Sequence, residues 1–381
     1  VFVFLCPQKS VRNGSSLCAG EQEYIQKRKQ VSVQALRDLG LPCTVEEVPH
    51  IAFLASGGGQ RAAVSLVGSL SQMSQDRLLD TVLYLGGVSG STWSMAFLYS
   101  DPQWSRTLDS HMSSLLTANT VELELVLSWV HEKAQREEFS LTDVSFLTVV
   151  VMSPGQWFEL TPHEAGFSEL ELFVETSALG NKFKGGVLLE NRPEMDMIQL
   201  QGMCIHTGPF PFRGKLPIPA FLASTEHVHL MDGGLLVNVA YPSFLGQRRD
   251  IDLIIAPEYS AGNMFEVRKP FPQLDDKILE EEKDWPRDCY VFEGNDTAPT
   301  VVFMPLFNRR NCKGTHLKLP GPKPSGFSTF QKSYSPDMIK FLLETAQENM
   351  RNNKETLLRE ISKALQRRRA RGQAGQVQPE Q

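Results

Sequence analysis

Three short stretches of this 381-residue chain carry residue types that covalent acyl transfer needs. Ser89 lies in Gly-Val-Ser-Gly-Ser (Gly87 to Ser91), Gly57, Gly58 and Gly59 stand together two positions ahead of Arg61, and Asp232 opens an Asp-Gly-Gly run. A serine set between small residues at a strand-to-helix turn can be presented as a nucleophile, because bulkier neighbours would collide with adjacent backbone. Consecutive glycines leave amide N–H groups open to an anion. Donors of that kind matter, since losing one from an oxyanion hole costs roughly 100- to 1000-fold in rate. A carboxylate at the end of a buried strand is partly desolvated, which lifts its pKa above the usual value of about 3.9 and makes it a better base. Each residue also has a plain reading. Ser89 fits an ordinary strand–helix turn, Asp232 an Asp-Gly turn, and Arg61 a surface position in the first turn of a helix, although its guanidinium suits a phosphate. The three motifs in this order favour chemistry.

Other readings of the glycine run fail on the residues downstream of it. A dinucleotide fingerprint can be written on Gly57, Gly59 and Ala62, yet the second strand should then end in an acidic residue and ends instead in Gly86-Gly87. A P-loop needs Gly-Lys-Ser/Thr, which is missing. A Ser-acid-His triad remains open: His316 is the only histidine after Asp232 and would have to serve as base.

These residues need elements to position them. "IAFLA" (51–55) reads as a buried strand, 61–80 as a helix with Val64, Val67, Leu70 and Met73 on one face, "TVLYL" (81–85) as a second strand and 92–100 as a second helix. That succession predicts an α/β fold with a mainly parallel central sheet flanked by helices. An entry helix is expected over 21–39, a helical stretch near 121–137, and further strands at 227–232, 251–256, "CYVFEG" and "TVVFMPLF". Ser335-Pro336-Asp337 starts a C-terminal helix with Ile339, Leu342, Ala346, Met350, Leu357, Ile361 and Leu365 on one face. It closes in Lys363, Arg367, Arg368, Arg369 and Arg371 with no acidic neighbour in sequence, which suits a solvated helix end or a patch for anionic lipid.

Composition sets limits. A net charge of −6 argues against a nucleic-acid binder, and no apolar run is long enough to span a bilayer. Six scattered cysteines lack metal-ligand spacing, so reduced thiols in a cytoplasmic protein are expected, with no zinc or other metal.

"SGGGQR", "GVSGSTW" and "MDGGLLVN", together with "WFELTPHEAGF", "LGNKFKGG", "YSAGNMFE" and "MPLFN", resemble the catalytic domain of the group IV cytosolic phospholipases A2, a patatin-like family, with the gamma type nearest. The resemblance covers most of 20–365. It implies a phospholipase domain over 21–365, an undefined segment at 1–20 and a basic, polar tail at 366–381. It further implies that Ser89 is the nucleophile and Asp232 its base in a dyad without histidine. Gly57, Gly58 and Gly59 would form the oxyanion hole, and Arg61 would hold the substrate phosphate. Glycerophospholipids and lysophospholipids are the implied substrates, met at a membrane surface without calcium or another cofactor, and transfer of the acyl group to a second lipid is open to the same intermediate. The chain departs from the family pattern in that Asp232 stands only 143 positions after Ser89, with abrupt joins near Ser153 and Cys204. Cap material is missing, so a shortened isoform or a catalytically impaired lipid-binding paralogue is the alternative. The absence of a C-a-a-X ending argues against prenyl anchoring.

Overall fold

A computed structural model describes residues 11–117, 157–179, 232–235, 237–260, 286–312 and 334–376, with short pieces at 181, 183–184, 187–188, 193–194, 208–209, 227–228, 281–282 and 327. In chain order the elements are β1 (Arg12–Asn13), α1 (Ala19–Asp38), β2 (Ile51–Ala55), α2 (Gln60–Gln75), β3 (Tyr84–Gly87), α3 (Gly90–Tyr99), α4 (Leu108–Thr117), β4 (Phe158–Leu160), β5 (Glu164–Phe167) and β6 (Leu172–Glu175). They continue with β7 (Phe183–Lys184), β8 (Val187–Leu188), β9 (Gly208–Pro209), β10 (His227–Val228), β11 (Leu253–Glu258), β12 (Tyr290–Phe292), β13 (Thr300–Pro305), α5 (Pro336–Asn352) and α6 (Lys354–Gln376). The chain divides into two units, Val1–Gln22 with Val121–Gly233, and Glu23–Thr120 with Gly234–Gln381.

The second unit is built on a five-stranded sheet in the order β12-β13-β11-β2-β3, parallel except for the antiparallel edge strand β12. Every residue of β2 is fully buried. An unbroken apolar strand of this kind belongs in the middle of a parallel sheet covered on both faces. β2 crosses through α2 to β3 and pairs with it from Ala52–Tyr84 to Ala55–Gly87, so both strands run out at the same edge. β11 lies against the other side of β2 and ends at Glu258. Loops leaving the carboxyl ends of neighbouring parallel strands are where α/β proteins place ligands.

The first strand falls where the sequence puts it. The second begins three residues later than expected, at Tyr84, because Leu79–Thr81 form a single 3₁₀ turn. Arg28 locks that turn by donating to the Leu79 and Val82 carbonyls, and the Thr81 hydroxyl donates to Leu78 O. The C-terminal helix is two helices. Ser335 caps α5 by accepting from the Met338 N–H, as the start signal predicts, and the break comes at Asn353, which is buried and donates through its side chain to Asn349 O at 2.9 Å. Gly68 lets α5 lie close on α2, since a Cβ there would stand 2.7 Å from Leu343 O.

The arginines at the end of α6 have acidic neighbours in space. Arg368 is bidentate on the buried Asp252 and also reaches Asp250, Arg371 pairs with both, and Arg369 pairs with Glu47. The segment expected as a tail from 366 is helical through Gln376, anchored beneath the amino ends of β2 and β11.

The first unit carries an antiparallel sheet in the order β1-β6-β5-β4 and two small hairpins, β7–β8 and β9–β10. The aromatic-rich segment at 157–167 supplies β4 and β5. Arg12 joins this sheet by a bidentate pair to Glu164 and lies over the Phe173 ring. The helix expected near 121–137 and most of Gly208–Pro219 lie outside the described residues. No helix among the described residues is long and apolar enough to cross a membrane.

Candidate active site

Ser89 sits between β3 and α3 with φ 52° and ψ −131°. L residues rarely take this conformation. Among the described residues three other non-glycine residues have positive φ, and Glu171 among them has ψ 30°, the ordinary left-handed well that Ser89 lies outside. The sharp turn is possible because its neighbours are small. A Cβ on Gly87 would press on Met95 Sδ at 2.9 Å, and one on Gly90 would stand 2.0 Å from Gly59 O. Ser89 then caps α3, whose N-terminus carries the positive end of the helix dipole to the same place. Ser89 is 7% exposed.

The position where a nucleophile elbow usually has its second glycine holds Ser91. The difference has a use: Ser91 Oγ donates to Ser56 O at 2.5 Å and ties the serine turn to the glycine loop. That loop, Ser56 to Gly59, runs from β2 into α2. Gly57 packs directly on the serine, since a Cβ there would meet Ser89 Cβ at 2.8 Å and Oγ at 3.4 Å. Gly58 and Gly59 have φ 150° and 62°, and Gly59 caps α2. Among the hydrogen bonds of the described residues, none is donated by the Gly58 or Gly59 N–H. Gly57 differs, because its N–H is taken up by Asn238, through the backbone O at 3.0 Å and Oδ1 at 3.1 Å.

Arg61 lies where its position in the sequence puts it, in the first turn of α2, but it faces inward. Its exposure is 2%, with Nε donating to Tyr259 O at 2.5 Å and Nη1 to Phe327 O. Burial lowers its pKa. Nε and Nη1 thus hold backbone carbonyls of the neighbouring loops. Tyr259 repeats the theme: its N–H donates to Ser56 Oγ and its hydroxyl to Ser69 Oγ.

Beneath the glycine loop lies Glu258, 1% exposed at the end of β11. Burial pushes its pKa up, partly offset by hydrogen bonds from Ser260 and Ser56. Its Oε1 accepts from the Ser260 N–H at 2.7 Å and from Asn238 Nδ2 at 3.3 Å. Sequence reasoning missed Asn238 and Glu258. Asn238 stands six positions after Asp232 in the same motif, whereas Glu258 carries no local signal.

The structure thus brings together Ser89, Gly57, Gly58, Gly59 and the first turn of α2 within one unit. Asp232 belongs to the other unit, where it is half-buried immediately before the turn Gly233–Leu235. His316 lies outside the described residues. One group of possible metal ligands comes together among the described residues, Cys18, Glu21 and Glu164, but Arg12 already holds the Glu164 carboxylate. Burial pushes the thiols of Cys18, Cys43, Cys289 and Cys312 up in pKa, that of Cys289 to about 12. They are poor nucleophiles.

No protein-family model matches the sequence. Human cytosolic phospholipase A2 gamma is 24% identical over 514 aligned positions, covering 90% of this chain and 94% of the relative. Human cytosolic phospholipase A2 zeta is 27% identical over 548, covering 96% of this chain and 63% of its own, so the chain spans under two thirds of that relative. Both alignments are longer than the 381 residues available, which means that the relatives carry internal segments this chain lacks. The solved human GIVD cytosolic phospholipase A2 superposes with a TM-score of 0.80 at 21% identity, over 95% of this chain and 69% of that one.

Proposed function

From its homology to the cytosolic phospholipases A2, whose catalytic-domain fold it shares, we propose that this chain hydrolyses fatty acyl esters of glycerophospholipids and lysophospholipids through an acyl-serine intermediate on Ser89. The observation that carries this reading is the strained Ser89 backbone at a strand–helix turn, packed against Gly57. Strain of that kind persists only where the surroundings enforce it, and it clusters at functional sites.

In this reading Asp232 takes the Ser89 proton as the hydroxyl attacks the ester carbonyl, and returns it to the leaving alcohol. Water, activated by the same carboxylate, then releases the fatty acid. The negative charge on the tetrahedral oxygen is met by the N–H groups of Gly58 and Gly59 and by the α3 dipole. Gly57 supports the loop, since its N–H is engaged by Asn238. Arg61 holds Tyr259 through Nε, and the substrate phosphate is assigned to the same guanidinium. The chemistry needs no calcium. A second lipid can take the place of water, giving transacylation. The reaction takes place where the protein meets a membrane surface from the cytoplasm.

The decisive experiment is fluorophosphonate labelling with mass-spectrometric mapping, run beside hydrolysis of phosphatidylcholine and lysophosphatidylcholine in the presence of EDTA. Label on Ser89, and turnover lost in S89A, are expected. D232N abolishing turnover while H316A keeps it separates the dyad from a histidine-dependent esterase. The missing internal segments favour one alternative, a catalytically silent lipid-binding paralogue. Vesicle binding with no label on Ser89 would establish it.

A further inference from the structure

Asn238 is held in an arrangement that packing alone does not require. Its backbone O and Oδ1 both accept from the Gly57 N–H, at 3.0 and 3.1 Å, while its Nδ2 donates to Gly57 O and to Glu258 Oε1, each at 3.3 Å. Ser56 Oγ donates to the same Gly57 carbonyl at 3.2 Å. Gly57 is therefore gripped at both its N–H and its C=O. A peptide unit is planar and trans, so the Gly57 carbonyl and the Gly58 N–H belong to one rigid plane and point in opposite directions. Fixing the carbonyl on Asn238 Nδ2 aims the Gly58 N–H the opposite way, and the glycine that carries this carbonyl packs directly on Ser89. A peptide flip would reverse this and present a carbonyl dipole of the wrong sign to a developing oxyanion. Gly58, with φ 150° and no Cβ, offers little resistance of its own to such a flip.

Glu258 completes the device. An amide side chain can hold Gly57 at both ends only with its oxygen on the N–H and its nitrogen on the carbonyl. The buried Glu258 oxygen accepts from Asn238 Nδ2 and so selects that orientation. Ser260 N–H fixes the carboxylate in turn.

We propose that Asn238, oriented by Glu258, is a positioning residue that locks the Gly57–Gly58 peptide with the Gly58 N–H directed at the oxyanion formed on attack by Ser89. The inference rests on the acyl-transfer reading above. Because the donor acts on charge that exists only in the transition state, its loss lowers kcat and leaves KM nearly alone.

The test measures lysophosphatidylcholine hydrolysis per active site, with sites counted by fluorophosphonate titration, in wild type, N238A, N238D, E258A and E258Q, with S89A, measured per mole of protein, as the blank. N238A is expected to lower kcat about 100-fold with KM within about threefold, the size of a lost oxyanion donor. N238D keeps an acceptor for the Gly57 N–H, loses the donor to its carbonyl, and is expected to fall at least tenfold, so it carries the test should N238A not fold. E258A is expected to lose more than E258Q, whose amide oxygen still accepts from Asn238. N238A or N238D with kcat per titrated site within threefold of wild type overturns the inference, whatever its thermal stability. Equal losses in E258A and E258Q remove Glu258 from it. Wild-type protein with no Ser89-dependent turnover removes the functional reading and this inference together, whereas turnover that needs Ser89 but ignores Asn238 removes this inference alone.

Discussion

The Ser89 backbone makes a prediction about stability that needs no substrate. At φ 52° and ψ −131° an L residue carries strain that glycine does not, at a typical cost of about 1–3 kcal/mol. Replacing Ser89 with Gly relieves it, and replacing it with Ala does not, while both remove the hydroxyl. Because ψ lies far from the left-handed well, strain near about 3 kcal/mol is the appropriate figure. Against this stand about 0.5–1 kcal/mol for the extra chain entropy of glycine and about 0.8 kcal/mol for the lost buried methyl. The difference leaves S89G more stable than S89A by about 1 kcal/mol. Domains of 150–250 residues shift by about 2–4 °C per kcal/mol, so the longer chain here should show about 2 °C. Thermal unfolding followed by circular dichroism, with a urea titration of the same two proteins, reads this directly. S89G unfolding at or below S89A would mean that no strain is stored at this turn, and the elbow geometry would lose its physical basis.

Three further outcomes are expected from the packing. G90A places a Cβ 2.0 Å from Gly59 O, so it should separate the serine turn from the glycine loop and reduce fluorophosphonate labelling of Ser89 at least 100-fold. Burial and the nearby charges of Arg368 and Lys29 push His50 down to about 4, and its Nε2 is buried without a partner among the described residues while Nδ1 donates to Arg249 O. The unfolded chain then binds the proton first, so stability is full above pH about 6.5 and is lost as pH falls toward 4: about 2 kcal/mol between pH 7 and pH 5. Urea midpoints at the two pH values check this, and H50Q should flatten the difference. R368A leaves the buried Asp252 with only Arg371 as ion-pair partner among the described residues, and should cost about 3 kcal/mol, whereas R369A, on a half-exposed pair with Glu47, should cost under about 1 kcal/mol. Equal effects in the two melts would refute that difference.

How far these features could be read in advance depended on whether their causes are local. β2 and the Ser335 cap were legible because an unbroken apolar run and a Ser-Pro-Asp start act within a few residues. The late start of β3 was not, since Arg28, more than fifty positions away, holds the backbone that would otherwise extend it. The single C-terminal helix failed for the same reason: nothing beside Asn353 announces that its side chain will turn back on Asn349 O and also donate to Asp288 O, at 3.3 Å. The arginines after it looked unpaired because Asp250 and Asp252 stand over a hundred positions earlier.

The site divides along the same line, and Arg61 marks the division. Glycines and a serine declare themselves, because what they do depends on their own backbone and on the residues beside them. An arginine does not. In sequence, a guanidinium in the first turn of a helix behind three glycines is chemically suited to a phosphate. In the fold, the β11 loop brings Tyr259 O within 2.5 Å of its Nε, and Phe327 O takes Nη1. Two charge-assisted bonds to buried carbonyls give the guanidinium a structural task, since breaking them would strand a charge that burial already disfavours. Asn238 shows the converse. Nothing about an asparagine in "LLVN" singles it out until its amide is seen spanning both ends of Gly57. Chemistry carried by the backbone can be read from the chain, whereas the side chains that aim the backbone become visible only when distant strands meet.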